Sequence, residues 1–351
     1  MIRLNMYGWN DRLNQLKQES VYNTLSHGRI AIVHRTCYEV VSDSGLYQCE
    51  LTGNMMYGKS DFELPCTGDW VLFQPFDDSK GIIVGMLPRE RTLYRKRNGT
   101  VAGKQAIASY VDKAFIVQSL DDNFNMRRVE RFMVQILEEN IHPVLILNKA
   151  DLPFDKQGTE EAIRHLTRRM PVFFTSIHHP ETVSRLRDSI SEGETVVFVG
   201  SSGVGKSSLV NALCERSVLL TSDISQSTGK GRHTSTRRKM VLMDGSGVLI
   251  DTPGIREFGL TVDNPDSLAE MLEISNYAES CRFKDCTHTN EPGCAVLEAV
   301  AEGSLDIKVY ESYLKLKREA WHFSASEHEK RKKEKTFIKL VEEVKRRKAD
   351  S

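Results

Sequence analysis

The segment from Gly200 to Ser207 reads Gly-Ser-Ser-Gly-Val-Gly-Lys-Ser and fits the pattern G-x-x-x-x-G-K-S. It lies between a predicted strand at 196–199 and a predicted helix at 207–214, which is the context that a phosphate-binding loop requires. Glycines let backbone N–H groups surround a phosphate, the lysine can reach the β- and γ-phosphates, and the serine can ligate Mg²⁺. The predicted phosphate contacts are Gly200, Ser201, Ser202, Gly203, Val204, Gly205, Lys206, Ser207 and Ser208.

A second nucleotide motif, Asp251-Thr-Pro-Gly254, ends a predicted strand pair at 240–243 and 248–250. A carboxylate at a strand end that faces a phosphate loop can hold Mg²⁺ through water, and the Gly254 N–H can contact a γ-phosphate. Taken alone, these four residues would be a turn. Together with the phosphate loop they predict a nucleotide sensor formed by Asp251 and Gly254.

The identity of the base is predicted by a third motif, which follows an apolar strand at 144–147. A carboxylate at its last position can accept hydrogen bonds from both the ring N–H and the exocyclic amine of guanine. Adenine offers no such pair of donors, and a buried carboxylate without partners costs at least ~1–3 kcal/mol. By itself the motif is more often a helix cap, but beside a phosphate loop it favours GTP over ATP. The predicted base contacts are Asn148, Lys149, Ala150, Asp151 and, from Thr175-Ser176 at the end of the next strand, Ser176.

A cluster of metal-ligating residue types follows near the C-terminus. Its spacing is Cys281-x₄-Cys286-x-His288-x₅-Cys294. Three thiolates and one imidazole fill a tetrahedral Zn²⁺ shell and leave no position for water, so the predicted metal is structural, one Zn²⁺ per chain. The alternative is a set of buried cysteines without a metal.

The composition indicates a folded chain of more than one domain. It has 351 residues, 40% of them hydrophobic and 27% charged, and its 48 Lys and Arg balance 48 Asp and Glu. These values exclude disorder for most of the chain. No apolar run reaches the ~18–20 residues of a membrane span, and the first residues do not resemble a signal peptide. We therefore expect a cytoplasmic protein without a membrane partner, and the odd number of cysteines, 7 in all, argues against a disulfide framework.

The predicted secondary structure that positions these motifs changes from short strands to alternating strands and helices along the chain. Five short predicted strands between residues 28 and 85 suggest a small closed barrel. From about residue 111 apolar strands alternate with amphipathic helices, including predicted helices at 127–139, 159–169 and 182–190, which indicates a parallel sheet. We predict a barrel with a linker at 1–105, a GTPase domain at 106–265, and a helical zinc-binding domain with a basic tail at 266–351.

The order of the motifs is unusual, because the guanine motif at 148 precedes the phosphate loop at 200. The sequence therefore predicts a circularly permuted GTPase, and this order resembles the circularly permuted GTPases of small-ribosomal-subunit biogenesis, the RsgA/YjeQ type. The segment Gly231-Arg-His-Thr-Ser-Thr236 is similar to the G-R-H-T-T-T switch of that family, with Ser235 in place of a threonine. The resemblance implies an N-terminal oligonucleotide-binding (OB-like) barrel, a central permuted α/β P-loop GTPase, and a C-terminal α-helical zinc domain.

Hydrolysis needs a group that positions water. Many GTPases carry a glutamine directly after D-x-x-G, but this chain has Ile255, so we expect slow intrinsic hydrolysis. The family resemblance points to His233 as the catalytic group; the alternative is a solvent-exposed loop histidine without a catalytic role. Among the three hydroxyl residues that follow, Thr234 is slightly favoured as a Mg²⁺ ligand.

Basic segments indicate a nucleic-acid partner. Residues 89–97 hold five basic side chains, and residues 313–351 hold thirteen Lys and Arg against seven Asp and Glu. A charged tail is often merely a solvated helix face, but a barrel and a zinc domain together favour rRNA. The leading hypothesis is a monomeric GTPase that binds GTP and GDP, docks on the small ribosomal subunit and its rRNA, is stimulated by it, and leaves after hydrolysis. The alternatives are a large-subunit assembly GTPase and a nucleotide-regulated RNA-binding module.

Overall fold

Two units make up the fold of this chain in the computed structural model: Met1–Gly259 and Leu260–Ser351. The structure describes residues 2–57, 60, 62–96, 104–121, 123–167, 169–215, 238–251, 269, 272 and 274–324. The predicted barrel lies in the first unit together with residues 106–259 of the predicted GTPase segment, and the last six residues of that segment and the Cys/His cluster lie in the second unit. The division into three domains stays a prediction.

The first five strands of the chain form a closed barrel, as predicted. The strands are β1 (Ser26–Val33), β2 (Tyr38–Ser42), β3 (Gly45–Leu51), β4 (Trp70–Asp77) and β5 (Lys80–Met86). Strand β1 pairs antiparallel with both β2 and β4, β2 pairs antiparallel with β3, and β3 pairs parallel with β5. Pairing of β4 with β5 closes the barrel, so these strands have no unpaired edge.

Several elements around the barrel were not predicted from the sequence. A 3₁₀ turn (Leu4–Tyr7) and helix α1 (Asp11–Glu19) precede it, and the short helix α2 (Gly53–Met56) follows β3. A hairpin of β6 (Leu93–Lys96) and β7 (Lys104–Ala108) follows the barrel. The predicted domain boundary at 105/106 falls inside β7.

The remaining strands form the predicted sheet with helices between them. The strands are β8 (Lys113–Ser119), β9 (His142–Asn148), β10 (Val172–Thr175), β11 (Thr195–Val199), β12 (Lys239–Leu242) and β13 (Val248–Asp251). Their order is β10-β9-β8-β11-β13-β12, and β12 also pairs with β1 of the barrel at one position, Lys239 with Ile32. Among these six strands every neighbouring pair is parallel except β12 with β13. The helices are α3 (Met126–Glu138), α4 (Lys156–Ile163), α5 (Pro180–Asp188) and α6 (Lys206–Leu213). The helix predicted at 159–169 thus starts earlier and ends at Ile163, where turns follow.

Parallel pairing brings the predicted motifs to one edge of this sheet. Asn148 at the end of β9 pairs with Ser119 at the end of β8, and Val199 at the end of β11 pairs with Ile116. Because the carboxyl ends of parallel strands share an edge, the guanine motif and the phosphate loop come together although the chain visits them in permuted order.

Arg29 on β1 connects the barrel to this sheet. Its side chain is 1% exposed and lies with its guanidinium carbon 5.5 Å from the centre of the Trp70 ring. Burial lowers the pKa of Arg29 to about 10, so the side chain stays protonated at neutral pH. It donates hydrogen bonds to the backbone carbonyl oxygen atoms of Tyr7 (2.5 Å), Gly68 (2.9 Å), Ser109 (3.3 Å) and Tyr110 (3.3 Å). It also donates to the side-chain Oγ1 of Thr195 (2.8 Å).

The second unit is helical in its described part, as predicted. It contains α7 (Ser275–Ala278), α8 (Ala295–Ala301) and α9 (Ile307–Ser324). Its buried apolar residues are Leu272, Ile274, Val296, Ala299, Leu305, Val309, Tyr313 and Leu316. Among the residues described in either unit, no helix has the length and apolar character to cross a membrane.

Replacing Arg29 by Met should lower the free energy of unfolding by at least about 3 kcal/mol, because several buried oxygen atoms would lose their donor. Arg35→Met is a matched control, since Arg35 is exposed in the loop between β1 and β2, and we expect a change within about 0.5 kcal/mol. Denaturant unfolding measures both. A loss below about 1 kcal/mol for Arg29→Met would contradict the bridging role.

Candidate nucleotide site and metal centre

The phosphate loop depends on glycines at positions that side chains could not occupy. Gly200, Gly203 and Gly205 have φ of +144°, +82° and +90°, in the region that favours glycine. A Cβ on Gly200 would lie 2.4 Å from the Val117 carbonyl oxygen, and one on Gly205 would lie 2.3 Å from Nδ2 of Asn148. The loop is therefore packed directly against the ends of β8 and β9.

Lys206 begins helix α6 and closes the loop. Its Nζ donates to the carbonyl oxygen atoms of Gly200 at 2.7 Å and Ser201 at 2.5 Å. Gly205 caps the helix in a left-handed conformation without a side-chain hydrogen bond, so no capping side chain stands over the first N–H groups of α6. A helix start with a lysine above it is a suitable environment for phosphate.

Asn148 joins the predicted guanine motif to the phosphate loop. It is 3% exposed, and its Nδ2 donates to the Val204 carbonyl oxygen at 2.8 Å. Its Oδ1 accepts from the Thr175 hydroxyl at 3.1 Å. Both ends of the amide are therefore hydrogen-bonded, and the loop is joined directly to the end of β9.

Lys149 is held by an acidic residue that the sequence analysis missed. Lys149 has φ of +61°, and its Nζ lies 2.9 Å from Oδ2 of Asp121. Burial acts to raise the pKa of Asp121, but hydrogen bonds from Ser119 and Lys149 outweigh it and hold the pKa below its ordinary value. Asp121 thus stays ionised, and it fixes the direction of the Lys149 side chain.

Asp151 stands at the mouth of a small cavity where a base could lie. A hydrogen bond from the Ser176 side chain lowers the pKa of Asp151, so its carboxylate is available as an acceptor at neutral pH. The cavity has a volume of about 210 Å³. Its lining residues come from the guanine motif, the segment after β10 and the start of α6: Asn148, Lys149, Asp151, Leu152, Ile177, His178, Gly205 and Ser208.

Of the residues outside the phosphate loop that are predicted to contact the γ-phosphate, Mg²⁺ or the attacking water, Asp251 is described by the structure and three others are not. Asp251 is the last residue of β13, whose Ile250 pairs with Val197 of β11, so Asp251 lies at the same edge as the loop. His233, Thr234 and Gly254 lie outside the described residues.

Three polar residues near the loop escaped prediction: Asp121, Asn123 and Arg128. All three follow the end of β8, in a polar run that could have indicated a site.

The Cys/His cluster is assembled in the second unit. Potential ligand atoms of all four residues lie within 4.8 Å of one another. Sγ of Cys281 lies 3.9 Å from Sγ of Cys294 and 3.6 Å from Nδ1 of His288, which is itself 3.5 Å from Sγ of Cys294. These distances are edges of a small tetrahedron, so Cys281, Cys286, His288 and Cys294 can hold one metal ion.

Neighbouring groups hold the backbone around His288. The carbonyl oxygen of His288 accepts from the Tyr310 hydroxyl at 2.6 Å, which ties the cluster to helix α9. Glu291 accepts from the backbone N–H groups of Thr287 and Thr289, both at 3.0 Å. These bonds fix the turn at 287–291 that carries the histidine.

Comparison with known proteins identifies the family. A family model described as RsgA GTPase matches residues 86–261. The small ribosomal subunit biogenesis GTPase RsgA 1 of Bacteroides thetaiotaomicron is 74% identical over 347 residues, which cover 99% of this chain and 98% of that protein. The chain belongs to the RsgA GTPase family. The small ribosomal subunit biogenesis GTPase RsgA of Methanosarcina acetivorans is 40% identical, with 89% of this chain and 84% of that protein covered.

Solved structures agree with the fold. YjeQ from Thermotoga maritima matches with a TM-score of 0.64 at 24% identity, and covers 84% of this chain and 98% of its own. YloQ, described as a circularly permuted GTPase, matches with a TM-score of 0.63 at 24% identity, over 88% and 99% of the two chains. The predicted permuted fold is confirmed. As a member of the RsgA GTPase family, the chain is a GTP hydrolase, and the family implies use of Mg²⁺.

If the cluster binds metal, Cys294→Ser should lower the metal content from one ion per chain to less than about half. Cys37→Ser, a change in the barrel, is the control and should leave the metal content unchanged. Elemental mass spectrometry of the purified proteins measures the content without assuming which metal is present. A wild-type chain without metal, or a Cys294→Ser variant with the wild-type content, would contradict the site.

Proposed function

We propose that the chain binds GTP and GDP at the sheet edge, hydrolyses GTP, and acts in assembly of the small ribosomal subunit. The observation that carries this proposal is the 74% identity, over nearly the whole chain, with a protein named small ribosomal subunit biogenesis GTPase RsgA 1. The hydrogen bond between Asn148 and Val204 at 2.8 Å supports it, because this bond joins the two motifs that a GTPase needs.

The predicted residues take distinct roles in this proposal. Asp151 accepts the two N–H donors of guanine, and Lys206 with the loop N–H groups binds the phosphates. Ser207, Thr234 and Asp251 hold Mg²⁺ directly or through water, and Gly254 contacts the γ-phosphate. The metal ion, when bound, neutralises charge on the β- and γ-phosphate oxygen atoms.

Exchange of Asp151 for Asn should change the base that is bound. An amide offers one acceptor and one donor, so it cannot accept both guanine N–H groups, whereas it can donate to the 2-oxo group of xanthine. We expect GTP affinity to fall about tenfold or more and xanthosine triphosphate to bind more tightly than GTP.

Asp155→Asn is the matched control for this exchange, because Asp155 is exposed and caps α4, and Asn caps helices equally well. Competition with a fluorescent nucleotide measures both variants. Equal loss of GTP and xanthosine triphosphate binding by Asp151→Asn would contradict base recognition by Asp151.

We propose Zn²⁺ as the ion at the Cys/His cluster. Tetrahedral bonds of about 2.3 Å to sulfur and 2.1 Å to nitrogen separate two sulfur atoms by about 3.8 Å and sulfur from nitrogen by about 3.6 Å. The observed separations of 3.9 Å and 3.5–3.6 Å support this ion. Four protein ligands leave no position for substrate, so its role is structural.

Basic and aromatic groups support an rRNA partner. Tyr94 on β6 stacks against Phe62 with ring centres 5.3 Å apart and an interplanar angle of 18°. Nζ of Lys104 lies 5.7 Å from the Tyr94 ring centre, and Arg95 is exposed beside it. Phe62 is exposed and Tyr94 is half-buried, and aromatic and cationic side chains that reach the surface together can bind single-stranded nucleic acid. We propose that a monomer binds rRNA of the small subunit here and through its basic tail, and leaves after hydrolysis.

We expect small ribosomal subunits to stimulate GTP hydrolysis. The His233→Ala variant should still bind GTP but lose most of this stimulation. Ile255 cannot orient the attacking water, so another group such as His233 must do so. The control is His142→Ala, an exposed histidine at the start of β9. Phosphate release is measured with small subunits, with large subunits, and with neither.

Each alternative has its own outcome in this experiment. Stimulation by large subunits instead would favour the large-subunit GTPase, and no stimulation by either would favour the RNA-binding module. Unchanged stimulated turnover in His233→Ala would remove His233 from the mechanism.

A further inference from the structure

Arg128 reaches the phosphate loop from helix α3. It lies in the first turn of this helix, whose N-terminus is capped by Asn125. Its Nη1 donates to Oγ of Ser201 at 3.0 Å. None of the phosphate, base or metal motifs contains Arg128, and the proposed mechanism does not use it.

Asn123 extends this contact to the next residue of the loop. Its Nδ2 donates to the carbonyl oxygen of Ser202 at 3.3 Å. Asn123 in turn accepts from Nη1 of Arg128 through its carbonyl oxygen at 3.4 Å and its Oδ1 at 3.5 Å. Arg128 and Asn123 therefore fix Ser201 and Ser202, the two residues between the first two glycines of the loop.

The contact also brings a positive charge to the loop. Within the described part of the chain, Arg128 makes no ion pair, and the nearby carboxylate of Asp121 is paired with Lys149 instead. The guanidinium has five N–H donors, and its described acceptors are the loop serine and Asn123. An uncompensated cation at a phosphate loop favours the ligand with the greater negative charge.

The hydrophobic packing of α3 does not require this side chain. Arg128 is half-buried, while the helix packs through its fully buried residues Val129, Met133 and Val134. The packing of α3 therefore does not depend on Arg128. Replacing Arg128 can test a role at the phosphate loop without a large change in stability.

We propose that Arg128 is a positioning residue for GTP hydrolysis. Acting through Ser201 and Asn123, it holds the second and third residues of the loop in the conformation that receives the γ-phosphate, and its charge favours GTP over GDP. The inference rests on the proposed nucleotide site and is independent of the ribosomal partner.

The test compares Arg128→Ala and Arg128→Lys with Arg127→Ala, in which the exposed neighbouring arginine is removed from the same helical turn. We expect Arg128→Ala to lower intrinsic kcat about tenfold and affinity for a non-hydrolysable GTP analogue several-fold, while GDP affinity and Tm stay near those of the wild type. Arg128→Lys should recover analogue affinity but not kcat, because lysine keeps the charge and lacks the planar fork. Arg127→Ala should behave as wild type.

A double-mutant cycle with Ser201→Ala tests the route of the effect. If Arg128 acts through the Ser201 hydroxyl, the kcat losses of the two changes should not add. Full additivity, equal losses of GDP and analogue binding, a matching fall in Tm, or an Arg127→Ala variant equal to Arg128→Ala would each overturn the inference. A wild-type chain that binds no guanine nucleotide would instead contradict the proposed nucleotide site.

Discussion

The buried guanidinium of Arg29 is the interaction on which the first unit depends. Its hydrogen bonds reach the N-terminal segment, the turn before β4, the segment after β7 and the first residue of β11. A buried cation is stable only when its N–H donors have acceptors. All of these segments must therefore be in place around Arg29 before its charge can be buried. Strand β11 then runs from Thr195 at this contact to the phosphate loop at its other end. The position of the loop is thereby tied to the position of the barrel.

Circular permutation leaves the nucleotide site intact because the site is formed by strand ends that meet at one edge of the sheet. Asn148 and Val204 are separated by 56 residues in the chain, yet they lie at the carboxyl ends of strands that both neighbour β8. A different chain order changes which loops connect the strands, but it does not change which strand ends meet. This is why a motif order that is unusual along the sequence still predicts an ordinary GTP site.

Features with a local signal could be predicted from the sequence, and features made by distant partners could not. The barrel strands, the alternating strands and helices, and the Cys/His spacing each arise within a few residues of one another, so hydrophobic pattern and turn residues indicate them. Arg29 gave no such signal, since an arginine within a strand is usually exposed, and its acceptors come from four separate segments. Asp121 and Arg128 lie in a polar run, but their partners Lys149 and Ser201 are distant in the chain, so the sequence did not indicate their roles. Hairpin β6–β7 was missed because both strands are short and because β6 lies in the basic segment 89–97, which indicated RNA binding rather than a strand pair.

The Cys/His cluster lies in a small and acidic second unit. Residues 266–312 contain ten Asp and Glu against three Lys and Arg, and the apolar core of the unit comes from short helices. Small cores of this kind commonly need a metal or disulfide to be stable. A bound divalent ion would join Cys281, at the end of the segment after α7, to Cys294, which precedes α8, and would offset charge on the thiolates. Tyr310 adds α9 through its bond to His288, so the four ligands and one hydroxyl connect all three described helices of the unit. A bound metal ion would therefore couple folding of this unit to metal binding, whereas the candidate nucleotide site is built from residues of the other unit.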